Sequence, residues 1–113
     1  MFINVRRYMR FSHKDKKDIR VIRQSTYAFD YPLAINKAPK EQGVFVLLNE
    51  SSDVLYVGYV QANYFESTLS RLIDNPVTNQ VVAFRWFVTD CEKTAGLLAQ
   101  DWIIKYQPKN QDL

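Results

Sequence analysis

The sequence predicts an α/β fold of the α+β type: a three-stranded, mainly antiparallel sheet with flanking helices, preceded by a basic N-terminal extension. Three observations carry this reading. Two short runs of β-branched, aliphatic and aromatic residues, 44–48 and 54–59, stand either side of the turn-forming cluster Asn49, Glu50, Ser51, Ser52 and Asp53, the pattern of a β-hairpin. A third run, 81–88, is largely apolar on both of its alternating faces, as in a strand covered on both sides. Finally, Ala95, Leu98, Ala99, Trp102, Ile103 and Tyr106 fall at i, i+3, i+4, i+7, i+8 and i+11, one continuous apolar stripe along a helix.

In chain order, residues 4–11 alternate in part, and residues 19–23 have the composition of a short strand. Residues 24–42, with Pro32, Pro39 and several turn formers, read as connecting chain. Gly43 opens the hairpin. Asn63, followed three residues later by Glu66, marks a helix start, because the Asn side-chain oxygen can accept from N–H groups that lack intrahelical partners. Phe65, Leu69, Leu72 and Ile73 follow at helical spacing. Asn75-Pro76 halts this helix, since the residue before a proline is driven out of helical geometry. In the third run, Val82, Phe84, Trp86 and Val88 share one face, and Val81, Ala83, Arg85 and Phe87 the other. Thr89 and Glu92 have the spacing of a capping box at the head of the second helix, and Pro108 marks its end. The order is β-β-α-β-α, with residues 1–38 as a partly ordered basic extension and residues 39–110 as the domain.

Length and rare residues narrow the function. A chain of 113 residues, 47% apolar and 24% charged, makes one globular domain. Its longest apolar run, 44–48, is far too short to span a membrane. The turn to basic residues at Arg6 leaves no apolar block for an export signal. The expectation is an intracellular, cytoplasmic chain with no membrane partner. Cys91 is the one cysteine and His13 the one histidine, which excludes an internal disulfide, a Cys-rich zinc centre, a multi-His metal site and a histidine triad built from the core.

The formal charge of +3 is unevenly spread. Residues 1–24 hold eight Lys and Arg against two Asp, or +6, and the remainder holds seven against ten acids, or −3. Basic arms meet phosphate backbones through Coulomb attraction and counterion release, and Tyr8 and Phe11 sit among these charges where they can stack on bases. Arg6, Arg7, Arg10, Lys14, Lys16 and Lys17 are the candidate nucleic-acid contacts. A segment of this composition also serves as a solvated face or as a dock for an anionic protein, and charge alone does not separate the three.

The hairpin carries a more specific pattern. Gly43-Val44-Phe45 opens the first strand and Tyr56-Val57-Gly58 lies in the second, with ten residues between Phe45 and Tyr56. Pro39 precedes Gly43 by four positions, Arg71 follows Gly58 by thirteen, and Pro108-Lys109-Asn110 closes the last helix. Over residues 39–110 these motifs and the order of elements resemble the GIY-YIG nuclease domain, a family that includes the N-terminal nuclease of bacterial excision repair, Holliday-junction nucleases and homing endonucleases. The resemblance implies phosphodiester cleavage with one divalent metal ion. Motif tyrosines would position or activate water, a helix arginine would bind phosphate, and a glutamate on the last helix would ligate the metal. Each role has a physical basis: a metal concentrates positive charge at the phosphoryl oxygens, a guanidinium donates two parallel N–H groups to phosphate, and a tyrosine hydroxyl relays a proton.

The chain matches the family's catalytic positions at Tyr56 and Arg71 and departs from it elsewhere. Phe45, without a hydroxyl, replaces the first motif tyrosine, and Tyr59-Val60 replaces a small hydroxyl residue after the second motif. The metal-ligating glutamate, nine residues before the closing proline in the family, becomes Ala99. Asp101 points about 200° around the helix from position 99, and Glu92 lies about 10 Å along its axis, whereas metal–oxygen bonds are near ~2.1 Å. Glu92 and Glu66 each have a capping role, and Gln100 enters the register only after a shift of one residue. Tyr56 fits a packed strand tyrosine as well as a working one. Arg71, off the apolar stripe, fits a solvated arginine as well as a phosphate clamp.

The expectation is a nucleic-acid-binding or regulatory module on a degenerate GIY-YIG fold, using the basic arm and Arg71, with no metal ligand and no cofactor. Two alternatives stay open. One is a Mg²⁺- or Mn²⁺-dependent endonuclease whose carboxylate has moved to Glu92 or Asp101 or comes from another chain. The other is a protein-interaction domain that docks an acidic partner or completes a homodimer.

Overall fold

Six consecutive buried residues, Gly43–Leu48, form the strand around which everything else is arranged. The structure, a computed structural model, describes residues 9–113. Its strands are β1 (Arg23–Gln24), β2 (Phe29–Asp30), β3 (Gly43–Leu48), β4 (Val54–Val60) and β5 (Ala83–Val88), and its α-helices are α1 (Phe65–Arg71) and α2 (Glu92–Tyr106). Single turns of 3-10 helix occupy His13–Lys17, Ile35–Lys37 and Pro76–Thr78. The expected hairpin is present as β3 and β4, joined through residues 49–53.

The sheet is antiparallel throughout, in the order β1-β5-β3-β4, with β2 also paired to β5. It therefore has five strands rather than the expected three. The two additional strands come from residues 23–30, most of which read as connecting chain. Each is two residues long, too short to leave a period-2 signature. They form because β5 would otherwise present an unpaired edge.

Alternation along β3 sends its side chains to two separate cores. Val44, Val46 and Leu48 join Phe87 against Ala95, Leu98, Ala99, Trp102 and Tyr106 of α2. Phe45 and Leu47 join Phe84, Trp86 and Val88 against Phe65 and Leu69 of α1 and against Tyr31 and Ile35. A register shift between Leu47 and Leu48 skips Leu55, which lets Val54 and Val57 both face α2.

The N-terminal segment takes part in the α2 core. Phe11, a candidate for base stacking in the sequence, is instead 6% exposed. Its ring lies 5.4 Å from Phe87, 5.8 Å from Trp102 and 5.9 Å from Tyr106, centre to centre. The Ser12 N–H donates to the Tyr106 hydroxyl at 2.9 Å, and that hydroxyl donates in turn to Asp15. Burial and then the Asp15 hydrogen bond hold the Tyr106 hydroxyl well above its usual pKa. Lys105 also pairs with Asp15 at 2.9 Å, and Arg20 bridges Asp18 and Asp101 at 2.8 Å each. The Arg20 hydrogen bonds hold the Asp18 carboxyl below its usual range. Arg6, Arg7 and Tyr8 lie outside the described residues.

Both helix starts differ from expectation. Asn63 is not the cap of α1; it has φ 74° and donates its N–H to the Lys40 carbonyl, while Tyr64 occupies the cap position without a side-chain cap bond. The reversal after β4 demands a left-handed residue, which Asn tolerates. Thr89 likewise does not close a capping box with Glu92. It is buried, its hydroxyl donates to the Cys91 carbonyl at 2.8 Å, and α2 begins only at Glu92. Beyond α2, the Asn110 N–H donates to the Leu55 carbonyl at 2.8 Å, and the Gln111 amide exchanges two 2.9 Å bonds with Val57. These contacts cover the outer edge of β4. Among the described residues no helix is long and apolar enough to cross a membrane.

Two outcomes follow from this packing. Phe11→Ala should cost about 3–5 kcal/mol in urea unfolding, whereas a cost under about 0.5 kcal/mol would show that the segment does not share the core. Tyr31, whose hydroxyl donates to the Leu69 carbonyl at 2.6 Å, has its pKa pushed up to about 12 by burial and then by Asp74. Above about pH 10 the unfolded chain loses this proton while the folded chain keeps it, so stability falls as pH rises to 12. The gap in unfolding free energy between wild type and Tyr31→Phe should therefore narrow between pH 9 and 12; a constant gap contradicts the assignment.

Candidate functional site

The β3–β4 register sets Phe45 opposite Gly58. A Cβ at position 58 would collide with the Phe45 ring, which lies across the neighbouring strand. Glycine is thus required by the ring, and the ring in turn is only 1% exposed. Two residues before Gly58, Tyr56 projects from the same side of β4, its ring 6.0 Å from that of Phe45. Burial raises the pKa of the half-buried Tyr56 hydroxyl, so this group is neutral and a proton donor at ordinary pH.

Around this strand pair runs a groove of about 320 Å³, lined by Phe45, Tyr56, Val57, Gly58, Tyr59, Thr68, Arg71, Leu72, Ile103 and Gln111. Arg71, the last residue of α1, is exposed and joins none of the ion pairs among the described residues. Thr68 stands one turn before it on the same face. Tyr59 is 53% exposed and packs over Gly96 of α2, where an added Cβ would lie in ordinary van der Waals contact with the ring.

The structure therefore brings Tyr56 and Arg71 together, along with the substituted positions Phe45 and Tyr59. Ala99 is 1% exposed and belongs to the α2 core; Ile103, one turn further on, is the α2 residue that reaches the groove. Glu92 accepts from Gln61 at 3.0 Å beside a separate depression, and Asp101 is engaged by Arg20. Arg10, Lys14, Lys16 and Lys17 do not line the groove. Thr68 and Gln111 escaped the sequence reading, and Leu72 and Ile103 entered it only as members of the helix stripes. Thr68 had a usable signal in its spacing from Arg71, whereas Gln111 lies past the helix, where no periodicity operates.

A hairpin with this ring-on-glycine pair, flanked by α1 with its terminal arginine and closed by α2, defines a GIY-YIG-like domain. The comparisons agree with that class. No family model matches the chain. The UvrABC system protein C of Clostridium tetani is 30% identical over 89 residues, and that of Clostridium beijerinckii 32% over 89 residues; each alignment takes in 72% of this chain and 14% of the relative. The chain thus corresponds to about one seventh of the length of these curated relatives. Among solved structures, the GIY-YIG N-terminal endonuclease domain of UvrC from Thermotoga maritima superposes with a TM-score of 0.55 at 22% identity, covering 89% of this chain and 99% of that one.

The Thermotoga domain is described as bound to its catalytic divalent cation, magnesium. Magnesium sites rest on one or two carboxylates. Here no carboxylate, histidine or cysteine lines the groove, and among the described residues no group of three or more such side chains is placed to hold a metal ion. The donor set of this groove does not fit the ion.

The Phe45–Gly58 pair yields a direct check. Gly58→Ala should cost about 1–3 kcal/mol through overpacking, and the cost should shrink in a Phe45→Ala background. Equal costs in the two backgrounds, measured by a double-mutant cycle in urea, would mean that the ring does not fill that space.

Proposed function

We propose that this domain is a nucleic-acid-binding or regulatory module on the GIY-YIG fold, working without metal-dependent cleavage. The observation that carries the reading is the groove's composition: an unpaired guanidinium beside a neutral tyrosine hydroxyl, with no carboxylate. Arg71 donates two N–H groups to a phosphate, and Tyr56 donates its O–H to a further oxygen. Phe45, buried and without a hydroxyl, has no proton to move. With no anionic ligand in the groove, the domain can hold a phosphodiester but has no means of polarising it through a metal.

Residues 39–110 carry most of this groove, and residues 1–38 add basic surface. Arg10, Lys14 and Lys17 are exposed and, with Arg6 and Arg7, attract a polyanion over a longer range than the groove itself. A module of this kind acts inside the cell, where nucleic acid is met. That the structurally similar Thermotoga maritima domain is an endonuclease domain supports nucleic acid over an acidic protein as the anion.

Salt titration of binding to short duplex and branched DNA tests the proposal. The logarithm of the binding constant should fall linearly with that of the salt concentration, and Arg71→Gln should lower the slope by about 0.9, one phosphate contact. No cleavage should appear with Mg²⁺ or Mn²⁺. Undetectable binding at low salt, or cleavage that Glu92→Gln abolishes, would sink it.

A further inference from the structure

Tyr59 belongs to two depressions at once. It lines the Arg71 groove, and it also lines a hollow of about 430 Å³ formed with Glu92, Lys93, Gly96, Leu97 and Gln100 of α2. Alternation along β4 explains how one residue reaches both. Val57 packs in the α2 core, and Tyr59, two residues on, shares its face of the sheet, whereas Tyr56 and Gly58 meet Phe45 on the α1 side. β4 is an outer strand. The groove takes Thr68 and Arg71 from α1 and Ile103 from α2, so it crosses the outer edge of β4 and meets the α2 hollow at Tyr59.

The ring is not committed to any core. It is 53% exposed and stacks on no other aromatic ring among the described residues. Its Cε2, Cζ and hydroxyl oxygen lie 3.4, 3.5 and 3.8 Å from where a Cβ of residue 96 would stand, so α2 braces one edge of the ring. A single exposed tyrosine is ordinary on a protein surface; this one is held beside an exposed guanidinium that has no ion pair among the described residues. Lys93 and Gln100, at the rim of the hollow, are exposed as well, and Lys93 joins none of those ion pairs. The one acid of the hollow, Glu92, accepts from Gln61.

We propose that Tyr59 is a stacking platform for an unpaired base, which makes the ligand of this surface single-stranded nucleic acid. The proposal rests on the reading of the Arg71 groove as a phosphodiester site and names the form of nucleic acid that the site takes. Arg71 and Tyr56 hold the backbone in the groove. The adjoining base lies on the Tyr59 ring over the α2 hollow, where the Gln100 amide and the Lys93 ammonium meet its polar edge. Every base has a π-face, so this contact is tolerant of sequence. A duplex offers the same phosphates to Arg71 but keeps its bases stacked on one another, out of reach of the ring.

Three probes test the proposal at fixed salt: a short thymidine oligonucleotide, an abasic oligomer of equal length with the same phosphates, and a duplex of that length. The thymidine oligomer should bind roughly tenfold more tightly than the abasic one, and more tightly than the duplex. Tyr59→Ala should abolish that difference by weakening thymidine binding alone, and Tyr59→Phe should preserve it. Tyr59→Lys, which replaces the ring with a cation, should bind the thymidine and abasic oligomers equally, and it carries the test if the alanine variant does not fold. Arg71→Gln should weaken both single-stranded oligomers. Equal binding of thymidine and abasic oligomers by the wild type, with Arg71→Gln still weakening both, overturns the base platform and leaves the phosphodiester reading standing. So does a thymidine preference that survives in Tyr59→Ala and Tyr59→Lys, or tighter binding of the duplex. Binding of none of the three probes at low salt overturns both readings.

Discussion

The burial of β3 on both faces is the constraint from which the architecture follows. A strand with six consecutive buried residues must be paired along both edges and covered above and below, because its backbone groups need partners and its side chains need to leave water. β4 and β5 satisfy the edges, α2 covers one face, and α1 with the Tyr31 and Ile35 segment covers the other. The outer edges then need closing in turn, which β1 and β2 do on one side and Asn110 and Gln111 on the other.

The same constraint shapes the groove. Phe45 lies within the buried strand, so the first motif position serves packing, and of the two motif positions only Tyr56 presents a hydroxyl. Ala99 sits where α2 presses on the sheet, in the same core as Phe87 and Trp102. Two of the three positions at which the chain departs from the GIY-YIG pattern, Phe45 and Ala99, are thus occupied by apolar groups committed to a core, whereas Tyr59 is half exposed at the groove. Arg71 retains its place because the end of a short helix is exposed whatever the groove holds.

Much of the fold was legible because it rests on period. The 3.6-residue stripe of α2 and the composition of β3, β4 and β5 each involve six or more residues, and the structure contains them close to the expected bounds. Shorter features were not. β1 and β2 exist through pairing with β5, and two residues carry no period. The capping expectations at Asn63 and Thr89 failed because a turn requirement and a buried hydroxyl bond took those side chains first. In the groove, Tyr56, Arg71 and Gly58 were legible from spacing within one hairpin and helix, whereas Ile103 and Gln111 arrive from the far end of the chain.

What the sequence determined by itself was therefore local: which longer stretches are strands and which helices, and which residues, Ala99 among them, stand at the positions that the resemblance to the GIY-YIG pattern marks out. What only the tertiary structure decided was which distant side chains meet. Phe11 entered a core rather than a ligand surface, and Asp101 paired with Arg20. The reason is physical: periodicity reports how one segment meets a generic apolar surface, while a contact across many residues depends on the register, twist and packing of elements that no single segment encodes.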